Sequence, residues 1–174
     1  HGGRQNQIPP LGRGHSDWLA NPLHYHAGVY AGDMQYLIAQ VQDALPKRLP
    51  LTWLGTSMGG LIAMAALASH AQVCDKLILN DVAPRLEWEG LARIRDYIGA
   101  NPHFATKQEV LDYCKALSAS FGQLNEEEWL RLNTPQLRQR CAGDGCDPQR
   151  PWHLHYDPQI ATLAKAVTPE LLAQ

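Results

Sequence analysis

The chain has 174 residues, 45% of them hydrophobic, which is material for one ordinary globular domain with a real core. A formal net charge of -2 gives no basic footprint for nucleic acid, and no run of Lys and Arg marks a membrane-binding surface. The longest apolar run, Leu61 to Ala68, falls far short of the ~20 residues of a membrane span, and the cysteines (Cys74, Cys114, Cys141, Cys146) are too sparse for a disulfide scaffold, so the cytoplasm is the expected compartment.

Residues 1 to 27 are rich in Gly, Pro, His and Asn and read as loop, with the turn-rich stretch Gly12-Arg13-Gly14-His15-Ser16-Asp17-Trp18 inside them. From Gly32, the residues Met34, Leu37, Ile38, Val41 and Leu45 repeat at helical spacing, and Pro46 and Pro50 close that helix. Leu51 to Leu54 reads as a short buried strand. Gly55 to Gly60 turns the chain into an apolar helix over Leu61 to Ala68, and Leu77-Ile78-Leu79 forms a second strand ending at Asn80-Asp81. Continuous apolar strands alternating with helices predict a parallel sheet covered on both faces.

After Pro84 only helices and loops are predicted. Leu91, Ile94 and Ile98 mark one helix, stopped by Gly99 and Asn101-Pro102. Thr106 with Glu109 makes a capping box for the next, whose apolar face is Val110, Cys114, Leu117 and Phe121. Asn125 with Glu128 starts a third, and Asp157-Pro158 sets an N-cap before a proline at the first helical position. The expected organisation is a partial core over residues 1–84, a helical cap over 85–168 and the start of a further element at 169–174. With His1 in place of an initiator Met, this reads as a piece of a longer protein.

The strongest chemical signal is Leu54-Gly55-Thr56-Ser57-Met58-Gly59-Gly60, a G-x-S-x-G sequence with a strand before it and a helix after it. A turn this tight strains the serine backbone, and Gly55 and Gly59 are expected to remove side chains that would collide. It holds the Ser57 hydroxyl above the sheet edge as a nucleophile. The Met58 backbone N–H, at the helix N-terminus, points to where an oxyanion would form. A glycine-rich turn that merely packs closely or binds an anion is the competing reading.

These segments resemble the α/β-hydrolase superfamily, in its branch of serine hydrolases with a helical cap. Gly12 to Asp17 is similar to the G-x-G-x-S turn after an early strand, Gly55 to Gly60 to the nucleophile elbow, and Leu77 to Pro84 to the next strand and the exit into the cap. The resemblance implies a Ser–acid–His triad in that chain order. It makes Ser57 the nucleophile, and it offers Asp81 as the acid, against a structural role for that residue at the Pro84 corner. His1-Gly2-Gly3 resembles the family's oxyanion loop, with Gly2 as second donor, yet the stretch to Gly12 is too short for the intervening αβ unit. Either a segment is absent or these residues are an unrelated tail. Of the histidines, His155 is the candidate base within the chain, although the family order sets the base beyond its end.

Trp88, Trp129 and Trp152 are candidate walls of a hydrophobic substrate site, and equally ordinary packing residues. Cys141 and Cys146, with His153 and His155, lack the spacing of a common structural zinc site, so no metal and no cofactor are expected. The expected activity is hydrolysis of a carboxylic ester, lactone or related acyl bond in a small-molecule substrate, with no nucleic-acid or membrane partner. A C–C bond hydrolase and a non-catalytic binding protein on the same fold are the alternatives.

Overall fold

The chain runs through helix α1 (Ala27–Asp43), strand β1 (Thr52–Thr56), α2 (Met58–Ser69), β2 (Lys76–Asn80) and α3 (Trp88–Tyr97). It continues through β3 (His103–Phe104), α4 (Lys107–Leu117), α5 (Glu126–Asn133), β4 (Leu137–Gln139), β5 (Trp152–Leu154) and α6 (Ala161–Ala166). The computed structural model describes residues 7–119, 122–139, 147–166 and 168. Two compact units divide the chain, one of residues 19–97 and 159–174, the other of residues 1–18 and 98–158.

The first unit is built on a parallel pair. β1 and β2 lie side by side with Leu54 opposite Ile78 and Thr56 opposite Asn80. A parallel pair needs a crossover, and α2 supplies it, packed on both strands. Its composition explains the fit. Ala63 and Ala66 are fully buried and Ile62 nearly so, so small side chains let the helix approach the sheet closely. α1 packs on α2, tied to its end where Gln35 Nε2 donates to Ala66 O (3.0 Å) and Ser69 Oγ (2.8 Å). Tyr25 and Tyr30 stack with ring centroids 6.3 Å apart and are both buried, and the Leu19 N–H donates to the Tyr25 hydroxyl. A 3-10 turn over Pro158–Ile160 leads into α6, which packs on α3.

The described residues cover one face of the parallel pair. Trp53, Gly55, Leu77 and Leu79 alternate on one face, toward α2, whereas Leu54 (63% exposed) and Ile78 (51%) lie opposite each other on the other face. Among the described residues, α1 stacks on α2, and no close-packed element pair covers that second face.

The second unit contains the strands that the sequence did not announce. β5 pairs antiparallel with β3 on one side and with β4 on the other. Each of these strands has only two or three residues, too few for an alternating pattern, and their pairing is set by partners distant in sequence. The helices follow their caps. Thr106 accepts from the Glu109 N–H at the start of α4, and Asn125 and Glu128 form a complete capping box at α5. The buried face of α4 is Val110, Leu111 and Cys114. Leu117 is 39% exposed, so the apolar stripe is turned toward Leu111 relative to the expected one, and Phe121 lies outside the described residues.

Candidate active site

The path of the chain at the elbow follows from its glycines. A Cβ on Gly55 would lie 2.6 Å from the Gly60 Cα and 2.7 Å from the Gly59 carbonyl oxygen, so strand end and helix start touch backbone to backbone. A Cβ on Gly60 would strike the Val82 side chain and come within 3.1 Å of Leu79 Cδ2. Gly59, by contrast, has nothing within 4 Å. The glycines that permit the close approach are therefore Gly55 and Gly60, not the expected pair Gly55 and Gly59.

Ser57 closes β1 and serves as N-cap of α2 with φ 50° and ψ -118°. That conformation belongs to the first central position of a type II′ turn, where glycine normally stands. It is held from both sides. The Ser57 N–H donates to the Asn80 carbonyl (2.9 Å), continuing the ladder past the strand end, while the Ser57 carbonyl accepts from Gly60 (2.9 Å) and Leu61 (3.3 Å). The side chain is exposed at the carboxyl end of the parallel strands, where ligands of open α/β sheets are bound. Met58 contributes its N–H from the first helical position of a helix of 12 residues, so the helix dipole favours negative charge there.

Asp81 leaves β2 directly after Asn80, the register partner of Thr56, so Ser57 and Asp81 continue adjacent strand ends. It is exposed and left-handed, with φ 53°, a conformation that Asp tolerates better than most residues. Burial pushes the Cys114 thiol up to about 11, and burial with the neighbouring Asp75 charge raises Cys74.

The remaining candidates are distributed over both units. Trp88 opens α3 in the parallel-sheet unit, beneath the Arg95 guanidinium at 5.2 Å. Trp129 on α5 and Trp152 on β5 belong to the antiparallel-sheet unit. His155 belongs there too, buried, with its ring edge-on to His15 at 4.9 Å between centroids. His153 lies across the β3–β5 ladder from His103, their rings 5.5 Å apart. His70 ends α2 as its C-cap. Gly2 and its neighbours, and Cys141 and Cys146, lie outside the described residues. Arg138, which lines a recess with Trp18 of the turn-rich stretch and His155, went unnoticed in the sequence because nothing local marks it.

Comparison with known proteins gives a consistent result. The family model described as serine aminopeptidase, S33 matches residues 11–117. A 3-hydroxybutyrate-oligomer hydrolase of Cupriavidus necator is 40% identical over 162 residues, covering 93% of this chain and 52% of that protein. The crystal structure of an α/β hydrolase from Novosphingobium aromaticivorans superposes with a TM-score of 0.74 at 28% identity, over 93% of this chain and 54% of that one. A crystal structure described as that of a hydrolase from Rickettsia typhi gives a TM-score of 0.74 at 27% identity over 87% of this chain and 50% of that one. The chain thus spans about half the length of the relatives it matches.

Proposed function

Because the chain belongs to the serine aminopeptidase S33 family of α/β-hydrolases, we propose that it carries the nucleophile of an enzyme that hydrolyses a carboxylic ester through an acyl-enzyme. The observation that carries this reading is the backbone of Ser57. A side-chain-bearing residue is kept at φ 50° on a strand-to-helix turn, where glycine would sit without strain, and its hydroxyl is exposed. A turn that only needed to pack would carry glycine there.

In the proposed reaction Ser57 Oγ adds to the carbonyl carbon of the ester as its proton passes to a general base, by family order a histidine in the part of the protein that this chain does not span. The carbonyl oxygen becomes an oxyanion facing the Met58 N–H and the positive end of α2. Collapse expels the alcohol, which takes the proton back from the base. Water then attacks the acyl-enzyme by the same route, releasing the acid and restoring the serine. The Cupriavidus relative, named for hydrolysis of 3-hydroxybutyrate oligomers, supports a hydroxy-acid ester as substrate.

The test is labelling of the complete protein, including the part that this chain does not span, by a fluorophosphonate beside a Ser57→Ala variant. Rapid labelling that disappears in the variant, with ester turnover lowered by at least about 10³-fold, is the expected result. A folded protein that resists the probe points to a binding module that keeps the elbow as scaffold. Asp81→Asn assigns the acid in the same assay. A loss near 10⁴-fold in kcat makes Asp81 the partner of the base, and an unchanged rate leaves it as the left-handed corner after β2.

A further inference from the structure

A recess of about 390 Å³ opens in the antiparallel-sheet unit, lined by the loop 14–18 with Arg138 and His155. Its walls are fixed by backbone hydrogen bonds. The Gly12 N–H donates to Asp17 O (2.8 Å), the Gly14 N–H to His155 O (2.9 Å) and the Asp157 N–H to Gly12 O (2.7 Å). Gly12 and Gly14 turn the loop through left-handed backbone, at φ 76° and 56°, and Ser16 Oγ donates to Pro9 O (2.7 Å). Arg138 lines the recess from β4, where it stands opposite His153 of β5. Arg138 is half-buried, and among the described residues neither it nor Asp17 forms an ion pair, although both line the same space. Trp18, 37% exposed, gives that space an apolar wall.

A partly buried guanidinium gains most from a planar, doubly accepting anion, and a carboxylate matches its fork. Asp17, exposed at the rim of the same recess, offers an acceptor that a carboxylate on a plain alkyl chain does not use. A ligand that also carries a hydroxyl satisfies both groups. We propose that this recess binds the free carboxylate of a small hydroxy acid, with Arg138 on the acid group, Asp17 accepting from the hydroxyl and Trp18 against the carbon chain. The choice of a hydroxy acid rests on the ester reading above, since hydrolysis of a hydroxy-acid ester releases such an acid.

The test is calorimetric titration of the full chain carrying Ser57→Ala, so that binding is read without turnover, using 3-hydroxybutyrate, its methyl ester and butyrate as probes. The acid is expected to bind about tenfold or more tightly than its methyl ester. Arg138→Gln is expected to weaken the acid by a similar factor, while Arg131→Gln on α5 leaves it unchanged. Asp17→Asn should weaken 3-hydroxybutyrate and leave butyrate as it was. Equal binding of acid and ester, an unaltered affinity in Arg138→Gln, or no binding by a chain with native circular dichroism would overturn the proposal. Fluorophosphonate labelling of the unsubstituted chain separates the two readings. A labelled serine without acid binding refutes the recess alone, and acid binding without a labelled serine refutes the nucleophile alone.

Discussion

Gly55, Gly59 and Gly60 look alike in the sequence and differ in what surrounds them. Alanine at Gly55 or Gly60 must push apart backbone and the Val82 side chain, and should cost at least about 1–3 kcal/mol in urea denaturation. Alanine at Gly59 meets open space within a helix and should leave stability unchanged or raise it by up to about 1 kcal/mol. If the three variants behave alike, the close approach of β1 and α2 is not as described. Cys114 makes a second prediction from its surroundings. Its thiol is pushed up to about 11 by burial, above the ordinary thiol value, so the folded state holds its proton longer than the unfolded one. The resulting stability is complete below the unfolded value and is lost as pH rises through that window. Denaturation midpoints measured at pH 8 and pH 11 should fall with pH less steeply in Cys114→Ala than in the parent, and Cys114 should resist thiol reagents at pH 8 until the protein unfolds.

Elements with a local signature were legible in the sequence. The capping box at Asn125 and Glu128 gave the start of α5, and Asn125→Ala should cost about 1 kcal/mol in thermal or denaturant unfolding. The strand–turn–helix around Ser57 was equally legible, because its chemistry lies within a few consecutive residues. The start of α1 was not. It begins at Ala27 after His26, which makes no side-chain cap hydrogen bond, so no capping residue announced it. β3, β4 and β5 were missed for a different reason. Leu137-Arg138-Gln139 has no pattern of its own and becomes a strand only by pairing with Trp152-His153-Leu154. The recess was hidden likewise, since Arg138 meets the 14–18 loop only through that long-range pairing and the bonds from Gly12 and Gly14 to residues 155–157.

At the scale of the whole chain, which spans about half the length of its relatives, the described residues leave one side of the parallel pair without a covering element. Leu54 and Ile78 face each other there, largely exposed, and covering either is worth at most about 3 kcal/mol. Replacing both by glutamine should lower binding of an apolar fluorescent dye and reduce self-association in sedimentation; an unchanged dye signal would show that the face is not the source. Global stability also bears on the elbow. Ser57→Gly relaxes the turn and is expected to raise the melting temperature, gaining on the order of 1–3 kcal/mol, while removing the hydroxyl. A library of variants screened for heat resistance would therefore enrich glycine at this position, and one screened for turnover would reject it. Heat resistance and chemistry thus select in opposite directions at residue 57, so any thermal engineering of this protein has to hold that position fixed.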